Sequence, residues 1–334
     1  MLILSQSDVE RLLPMNVCIV LMERALTSLA QGETILPLRT VVRLSDGHNA
    51  FAVMPAVITS PMTIGAKVIT VFPGNRGTAL DSHQGAVLLF DPANGQLAAV
   101  INATAITTTR TAAVSALATR VLARADATRL VIIGAGVQAH AHLDAIRQVR
   151  TITSLRVVSR NAENAAKLAE RARAHYGIAD AAASTTAADA VREADIVCTT
   201  TSSTTPVLHG DWLAPGTHVN AIGACTPNAR ELDSAAVVRS RLYVDRRESA
   251  LAEPGDIVTP LHDGEIGPEH VVAELGELLI GRGEGRRNAQ DITLFKSLGL
   301  AIEDLAAAWF VMTEGAAIHA GTSIDFGGVR HVTA

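Results

Sequence analysis

Three basic residues lie in apolar or small-residue surroundings within the first third of the chain. Arg39 opens a candidate strand within Leu-Arg-Thr-Val-Val, Lys67 lies inside Ile-Gly-Ala-Lys-Val-Ile-Thr-Val-Phe, and Arg110 lies in an Ala- and Thr-rich segment. A cation is costly to bury unless it is paired. One possibility is that each cation extends to solvent or pairs with a nearby acid. The other is that one carboxylate-bearing ligand pairs with all three. As a set, they favour a clamp for a substrate carboxylate.

The apolar run at residues 130–133 ends in a G-x-G-x-x-A motif at residues 134–139. Gly134 permits a tight turn, Gly136 leaves room for phosphates, and Ala139 is small enough for a helix to pack on its strand. A helix N-terminus would add free N–H groups and a partial positive charge. The alternative is a tight βα turn that binds nothing, but the strand–turn–helix context predicts a dinucleotide site.

The next apolar strand, at residues 155–158, ends at Ser159, Arg160 and Asn161. An NAD enzyme usually places Asp or Glu here to accept hydrogen bonds from the ribose 2′-OH. This chain instead has a hydroxyl, a guanidinium and an amide, which can donate to a 2′-phosphate. NADPH is therefore expected to be preferred over NADH. Alternatively, Arg160 is an ordinary solvated residue that pairs with Glu163.

A candidate strand at residues 217–222 ends in Gly-Ala-Cys-Thr-Pro-Asn, with Cys225 as the third residue. Ligands of open α/β sheets bind at the carboxyl ends of strands, so Cys225 is expected near the cofactor. It is either a reactive pocket thiol or an inert cysteine. We interpret residues 245–248 and 253–256 as loops near the rim that contain ion pairs. His140 and His142 are two residues apart, which argues against a shared metal.

The elements that position these residues fall into two groups. The first group predicts an antiparallel sheet with helices on one side. Its segments are one or two helices ending near Gly32, two β-rich stretches, a hairpin and an Ala- and Thr-rich helix, at residues 6–31, 38–58, 64–72, 85–101 and 103–124.

From Arg129 onward, strands alternate with helices, which predicts a doubly wound parallel sheet. The candidate strands are 129–133, 154–158, 195–199, 217–222 and 241–244, and the candidate helices are 138–149, 161–175 and 186–193. A last helical run at residues 293–319, which carries Gly299, could return to the first domain and make that domain discontinuous.

Composition excludes several classes of protein. A chain of 334 residues suggests two domains, and its 48% hydrophobic residues are ample for buried cores. The net charge of −5 argues against nucleic-acid binding, and we see neither a membrane-length apolar run nor a signal peptide. Cys18, Cys198 and Cys225 show no C-x-x-C spacing, which argues against a disulfide framework or zinc site and favours a reducing cytoplasm.

Several ordered motifs together resemble the ornithine cyclodeaminase/μ-crystallin family along essentially the whole chain. They are Arg-Thr-Val-Val at 39–42, Met-Pro-Ala at 54–56, Gly-Ala-Lys at 65–67, Arg-Thr-Ala-Ala at 110–113, Gly-Ala-Gly-Val-Gln-Ala at 134–139 and Phe-Lys-Ser-Leu-Gly at 295–299. The resemblance implies an α/β fold in which a Rossmann sheet, residues 119–303, is inserted in a discontinuous α+β substrate and dimerisation domain, residues 1–118 plus 304–334. It also implies a homodimer.

The resemblance further implies which residues form the site, with Lys67 as the catalytic residue and no metal. The residues expected to contact the substrate are Arg39, Met54, Lys67, Arg110 and Cys225. Those expected to contact the cofactor are Thr111, Gly134, Gly136, Val137, Gln138, Ser159, Arg160, Asn161, Thr200, Ile222, Gly223 and Ser297.

The family divides by chemistry at the loop after the fifth strand. Its ornithine cyclodeaminases and alanine dehydrogenases carry an acid/base Asp where this chain has Cys225. Its ketimine reductases are similar to this chain at that loop and in the Asp-x-Arg-Glu-x-Ala pattern at residues 245–250. The resemblance therefore implies NAD(P)H-dependent reduction of Δ1-pyrroline-2-carboxylate and Δ1-piperideine-2-carboxylate to L-proline and L-pipecolate. The alternatives are a cyclodeaminase, an amino-acid dehydrogenase or acyclic imine reductase, and a non-catalytic NADPH-binding protein.

Overall fold

The computed structural model describes residues 1–75 and 77–328. Contacts divide the chain into a first unit, Met1–Arg110 together with the chain from Leu300 onward, and a second unit, Thr111–Gly299. The boundaries expected from the sequence, after residues 118 and 303, fall inside two long helices, Ala103–Leu122 and Ala301–Ala317. The observed boundaries between the two units lie earlier in the chain, after residue 110 inside the first helix and before residue 300, just ahead of the second.

The elements up to the end of the first long helix are β1 (Leu2–Leu4), α1 (Gln6–Leu12), α2 (Met15–Ala30), β2 (Thr34–Ile35), β3 (Thr40–Arg43), β4 (Ala50–Thr59), β5 (Met62–Val71), β6 (His83–Phe90), β7 (Leu97–Asn102) and α3 (Ala103–Leu122). The later elements are β8 (Arg129–Ile133), α4 (Val137–Ile146), β9 (Ser154–Val158), α5 (Ala162–Tyr176), β10 (Asp180–Ser184), α6 (Ala187–Arg192), β11 (Ile196–Thr199), β12 (His218–Ala221), α7 (Ser234–Val238), β13 (Arg241–Val244), α8 (Arg247–Ala250), α9 (Gly255–His262), β14 (Val271–Glu274), α10 (Leu275–Leu279), β15 (Thr293–Lys296), α11 (Ala301–Ala317) and β16 (Thr322–Ser323).

The sheet of the first unit has the strand order β16-β1-β7-β6-β5-β4-β2, and β3 also pairs with β4. Its strand pairs are antiparallel except for the parallel pair of β1 and β7. Along β4, Ala52, Met54, Ala56 and Ile58 are buried at alternate positions, as the two-residue period of a strand requires. Helix α11 packs against β4, β5 and β6. The predicted antiparallel sheet and its hairpin are confirmed.

The N-terminal helices follow local signals in the sequence. Ser5 caps α1 in a reciprocal capping box with Asp8, and α2 begins directly after Pro14. Both helices were predicted within residues 6–31. In the described part of the chain, no single helix is long and apolar enough to cross a membrane. Helices α1 and α2 are together long and apolar enough to cross a membrane, but they are separate helices bent by 87° relative to each other.

The sheet of the second unit has the order β10-β9-β8-β11-β12-β15-β13-β14, and all its pairs are parallel. The chain moves outward from β8 in one direction and then restarts at β11 in the other. Such a reversal creates a crevice at the carboxyl ends of β8 and β11, where doubly wound sheets bind ligands. The predicted doubly wound sheet is confirmed. Strand β10 escaped prediction because its sequence, Asp-Ala-Ala-Ala-Ser, contains no β-branched residue.

The helix predicted at residues 293–319 is wrong in its first part. Thr293–Lys296 form the buried strand β15, which lies between β12 and β13. Gly299 then adopts a φ of +77°, and α11 begins at Ala301. A short apolar run next to a helix does not reveal by its period alone that it is a strand.

Candidate active site

The glycine turn joins β8 to α4 at the point where the strand order reverses. Gly134 has a φ of +121°, and a Cβ at this position would lie 2.5 Å from Thr200 Oγ1. Gly136 directly precedes α4, and a Cβ there would meet nothing within 4 Å. The N–H groups of Val137 and Gln138 donate to no acceptor among the residues that the structure describes. The turn therefore combines open space with free donors, which fits the pyrophosphate of a dinucleotide.

Other predicted cofactor residues follow the strands next to β8. Thr200 follows β11, Ile222 and Gly223 follow β12, and Ser297 follows β15. These strands are adjacent and parallel, so the four residues lie along one edge of the sheet. Gln138 Oε1 and Ser297 Oγ are buried and have no hydrogen-bond partner within the described residues. Two polar atoms without partners at this edge are consistent with a site that a ligand completes.

The end of β9 carries donors and no acid. Ser159 Oγ accepts a hydrogen bond from the Asn161 N–H at 3.2 Å, and Asn161 caps the first turn of α5. Arg160 is exposed and forms no ion pair with any described residue. Glu163 pairs with Lys167 at 2.7 Å, so the alternative pairing of Arg160 with Glu163 is not what the structure contains. The guanidinium remains available to an anionic ligand.

A wholly buried carboxylate, Glu231, ties together the loops that follow β11 and β12. Its Oε2 accepts hydrogen bonds from Thr199 Oγ1 at 2.8 Å and from the Gly223 N–H at 2.6 Å. Its Oε1 accepts from the Thr201 N–H at 2.5 Å. Burial, together with the nearby Asp256, raises the pKa of Glu231. The carboxylate thus fixes the backbone at the edge of the sheet where the predicted cofactor residues lie.

The segments at residues 245–248 and 253–256 are more buried than we expected for rim loops. Asp245 is fully buried and accepts hydrogen bonds from the N–H groups of Leu298 and Gly299 at 2.6 and 2.7 Å. Asp256 is also fully buried and lies 3.0 Å from Lys296 Nζ. The expected ion pairing is present, but in the interior, because these carboxylates satisfy backbone donors and a lysine at the ends of the strands.

Cys225 is half-buried and donates its thiol hydrogen to the Ile222 carbonyl oxygen at 3.4 Å. It also lies near the ammonium of Lys296. Burial on its own would lower the pKa of Lys296, but Asp256, Cys225 and Glu231 together raise it. No acid is present in the loop at residues 223–228.

In the first unit, two of the three predicted cations, Lys67 and Arg110, contact two acids that sequence reasoning did not identify. Lys67 is 2% exposed, and its Nζ lies 2.7 Å from Asp304 Oδ2. Arg110 donates from Nε to Asp304 Oδ1 and from Nη1 to Glu303 Oε2, each at 2.9 Å. Asp304 and Glu303 belong to the first turn of α11 and are fully buried. Two cations therefore share two carboxylates, so pairing with acids satisfies Lys67 and Arg110 without a ligand.

The charge state of Lys67 is finely balanced. Burial lowers its pKa to about 8, Asp304 opposes that shift, and Arg110 and Arg39 add to it. Burial would raise the pKa of Asp304, but Arg110 and Lys67 hold it below its usual value. Lys67 can therefore exchange a proton close to neutral pH, which most lysines cannot.

The remaining predicted contacts are placed as follows. Met54 is buried in β4 directly opposite Lys67 in β5. Arg39 is half-buried just before β3, and its positive charge contributes to lowering the pKa of Lys67. Thr111 is buried in α3, in the second unit. Roles for these residues in ligand binding remain predictions.

The missed residues did carry a signal in the sequence. Glu303 and Asp304 are consecutive acids in an otherwise apolar, Ala-rich segment, and buried acids require partners just as buried cations do. Lys296 lies in Thr-Leu-Phe-Lys-Ser, a pattern much like that of Lys67. It escaped notice because the segment was taken for a helix.

Known proteins are similar to this chain in both sequence and fold. The model of the ornithine cyclodeaminase/mu-crystallin family matches residues 1–317. The ketimine reductase mu-crystallin of Mus musculus is 39% identical over 293 residues, which are 87% of this chain and 89% of that protein. Δ1-Pyrroline-2-carboxylate reductase of Thermococcus litoralis, in complex with NADH and L-proline, is 39% identical with a TM-score of 0.94, over 97% of this chain and 100% of that one. An archaeal alanine dehydrogenase dimer with bound NAD is 33% identical with a TM-score of 0.92, over 98% and 99% of the two chains. The predicted Rossmann-type fold of the second unit is confirmed.

Proposed function

Because this chain belongs to the ornithine cyclodeaminase/mu-crystallin family, we propose that it reduces cyclic 2-imino acids with a reduced nicotinamide cofactor. The substrates would be Δ1-pyrroline-2-carboxylate and Δ1-piperideine-2-carboxylate, and the products L-proline and L-pipecolate. The observation that carries the proposal is the full-length likeness to the T. litoralis reductase, whose structure holds NADH and L-proline together.

The glycine turn, with the strand ends beside it, would hold the cofactor. Gly134 and Gly136 would admit the pyrophosphate, with the N–H groups of Val137 and Gln138 as donors. When bound, the reduced nicotinamide would supply a hydride to the imine carbon. We further propose that NADPH is preferred over NADH, because Ser159 and Arg160 can donate to a 2′-phosphate and no acid follows β9 to accept from a 2′-hydroxyl.

The cationic cluster of the first unit would bind the substrate and assist the reaction. Arg39, Lys67 and Arg110 would attract the substrate carboxylate. A protonated imine accepts a hydride more readily than a neutral one, so a proton donor favours the reaction. Lys67 is suited to this role because its pKa of about 8 leaves it mostly protonated at neutral pH and still able to release the proton.

Cys225 favours imine reduction over the other activities of the family. Deamination of ornithine and dehydrogenation of alanine would call for an acid in this loop, and residues 223–228 contain none. A dehydrogenase of acyclic amino acids is the second candidate, because the archaeal alanine dehydrogenase shares almost the full chain and fold.

We propose a homodimer that works in a reducing compartment, the cytoplasm. Val41, Val42 and Phe51 of the neighbouring strands β3 and β4 are between 37% and 51% exposed, which suits a face covered by a second copy. Cys18, Cys198 and Cys225 form no disulfide with one another or with any other residue that the structure describes. Sedimentation equilibrium measures the oligomeric state directly.

A substrate panel tests the proposed reaction. Purified protein is incubated with NADPH or NADH and each of four compounds: the five-membered ketimine, the six-membered ketimine, iminosuccinate, or pyruvate with ammonia. Loss of cofactor absorbance with the cyclic ketimines, and L-proline or L-pipecolate as product, is the expected result. No turnover of either cyclic ketimine rules the proposal out. Ammonia release from ornithine would indicate a cyclodeaminase instead.

A further inference from the structure

Two buried lysines have opposite electrostatic surroundings. Lys67, in β5, faces one acid, Asp304, and two further cations, Arg110 and Arg39. Lys296, in β15, faces Asp256, Glu231 and Cys225, which raise its pKa. Burial lowers the pKa of Lys67 to about 8, so of these two lysines Lys67 is the one that can exchange a proton near neutral pH.

Asp304 gives one carboxylate oxygen to each of two cations. Its Oδ2 lies 2.7 Å from Lys67 Nζ, and its Oδ1 accepts from Arg110 Nε at 2.9 Å. Arg110 is held in turn by Glu303, whose Oε2 also accepts from the Leu300 N–H at 3.2 Å. The position of Asp304 is therefore fixed by Arg110 and by the first turn of α11.

We propose that Asp304 is a positioning residue that holds the Lys67 ammonium in place and keeps it protonated, so that Lys67 can donate a proton to the imine nitrogen. The destination of this proton rests on the proposed function, whereas the charge state of Lys67 does not. The N–H bond of the ammonium breaks as the new N–H bond of the iminium forms. The iminium carbon then accepts the hydride, and the neutral amine of Lys67 regains a proton from solvent.

The electrostatics around Lys67 make this role specific to Asp304. The charged groups that face Lys67 are Asp304 from α11, Arg110 from α3 and Arg39 from the segment before β3. Without the Asp304 carboxylate, burial and the two arginines would all lower the pKa of Lys67 further. Glu303 provides a matched comparison, since it is equally buried on the same helix but contacts Arg110 rather than Lys67.

Lysine labelled with carbon-13 at Cε measures this effect without turnover. The chain has only three lysines, Lys67, Lys167 and Lys296, so each gives a separable resonance. In the unaltered protein, Lys67 should titrate at a pH of about 8. In Asp304→Asn its midpoint should fall by about one pH unit or more, with a smaller shift in Glu303→Gln and none at Lys296. An unchanged or higher midpoint for Lys67 in Asp304→Asn overturns the proposal.

The pH dependence of kcat/KM for Δ1-pyrroline-2-carboxylate tests the catalytic consequence. Activity should fall as the pH rises through the Lys67 midpoint, because only protonated Lys67 donates, and Asp304→Asn should move this break to lower pH. If the NMR midpoint moves but the unaltered enzyme shows no break there, the donor role of Lys67 fails while the effect of Asp304 on its charge stands. Asp304→Ser, which leaves space for a water molecule, replaces Asp304→Asn in both measurements if that variant does not fold.

Discussion

Gly223 approaches Thr201 so closely that a Cβ on the glycine would lie 1.8 Å from the threonine carbonyl oxygen. The same Cβ would lie 2.7 Å from Glu231 Oε1, which accepts from the Thr201 N–H. Backbone on one side and a buried carboxylate on the other leave little room for adjustment. The loops after β11 and β12 can meet at this distance only because residue 223 is glycine.

Gly223→Ala should therefore push the two loops apart and weaken cofactor binding. The Kd for NADPH, measured by the fluorescence of the reduced nicotinamide, should rise about tenfold or more, which corresponds to ~1.4 kcal/mol of binding free energy. Gly74→Ala is the matched control, because a Cβ there meets nothing within 4 Å. An unchanged Kd in Gly223→Ala would mean that this close approach does not shape the cofactor site.

Glu231→Gln should loosen the same loops without a steric clash. Glutamine keeps the volume of the side chain, but its NH2 group faces donors in place of an accepting oxygen, and a buried unsatisfied donor costs about 1–3 kcal/mol. We expect a weaker Kd for NADPH and a lower melting temperature, while the KM for the ketimine changes less. Glu265→Gln, at an exposed position, is the control. A loss of stability with an unaltered NADPH Kd would restrict Glu231 to a purely structural role.

Lys296→Met should destabilise the second unit because it leaves the Asp256 carboxylate buried without its ammonium partner. Breaking one side of a buried ion pair typically costs about 3–5 kcal/mol. Urea-induced unfolding measures the change. The double variant Lys296→Met with Asp256→Asn should recover part of the loss, since the charge of Asp256 is removed together with that of its partner. Lys167→Met, which removes an exposed lysine, should leave the free energy of unfolding nearly unchanged. A similar small effect for Lys296→Met would contradict this view of the pair.

Local patterns predicted most of the elements, but they could not predict which distant side chains pair. Five strands of the second unit, β8, β9, β11, β12 and β13, follow from apolar runs between helical segments, and the glycine turn follows from its own spacing. Lys67 could be identified as a cation in an apolar strand, whereas its partner Asp304 lies in the last long helix of the chain. The period of a sequence carries no information about such contacts. Lys296 was missed because its segment, the buried strand β15, was predicted as part of a helix.

Arg160→Ala should selectively weaken NADPH and leave NADH binding almost unchanged. In the proposed site, the guanidinium contacts the 2′-phosphate, which NADH lacks. A hydrogen bond to a charged group contributes about 1.5–3 kcal/mol, so the KM for NADPH should rise roughly 10- to 150-fold. Steady-state kinetics with both cofactors at saturating ketimine measure this ratio, and Arg192→Ala, at another exposed arginine, is the control. Equal effects on both cofactors would indicate a general contact with the dinucleotide. If neither KM changes, Arg160 is an ordinary solvated residue that does not contact the cofactor. The absence of an acid after β9 would then be the remaining support for a preference for NADPH.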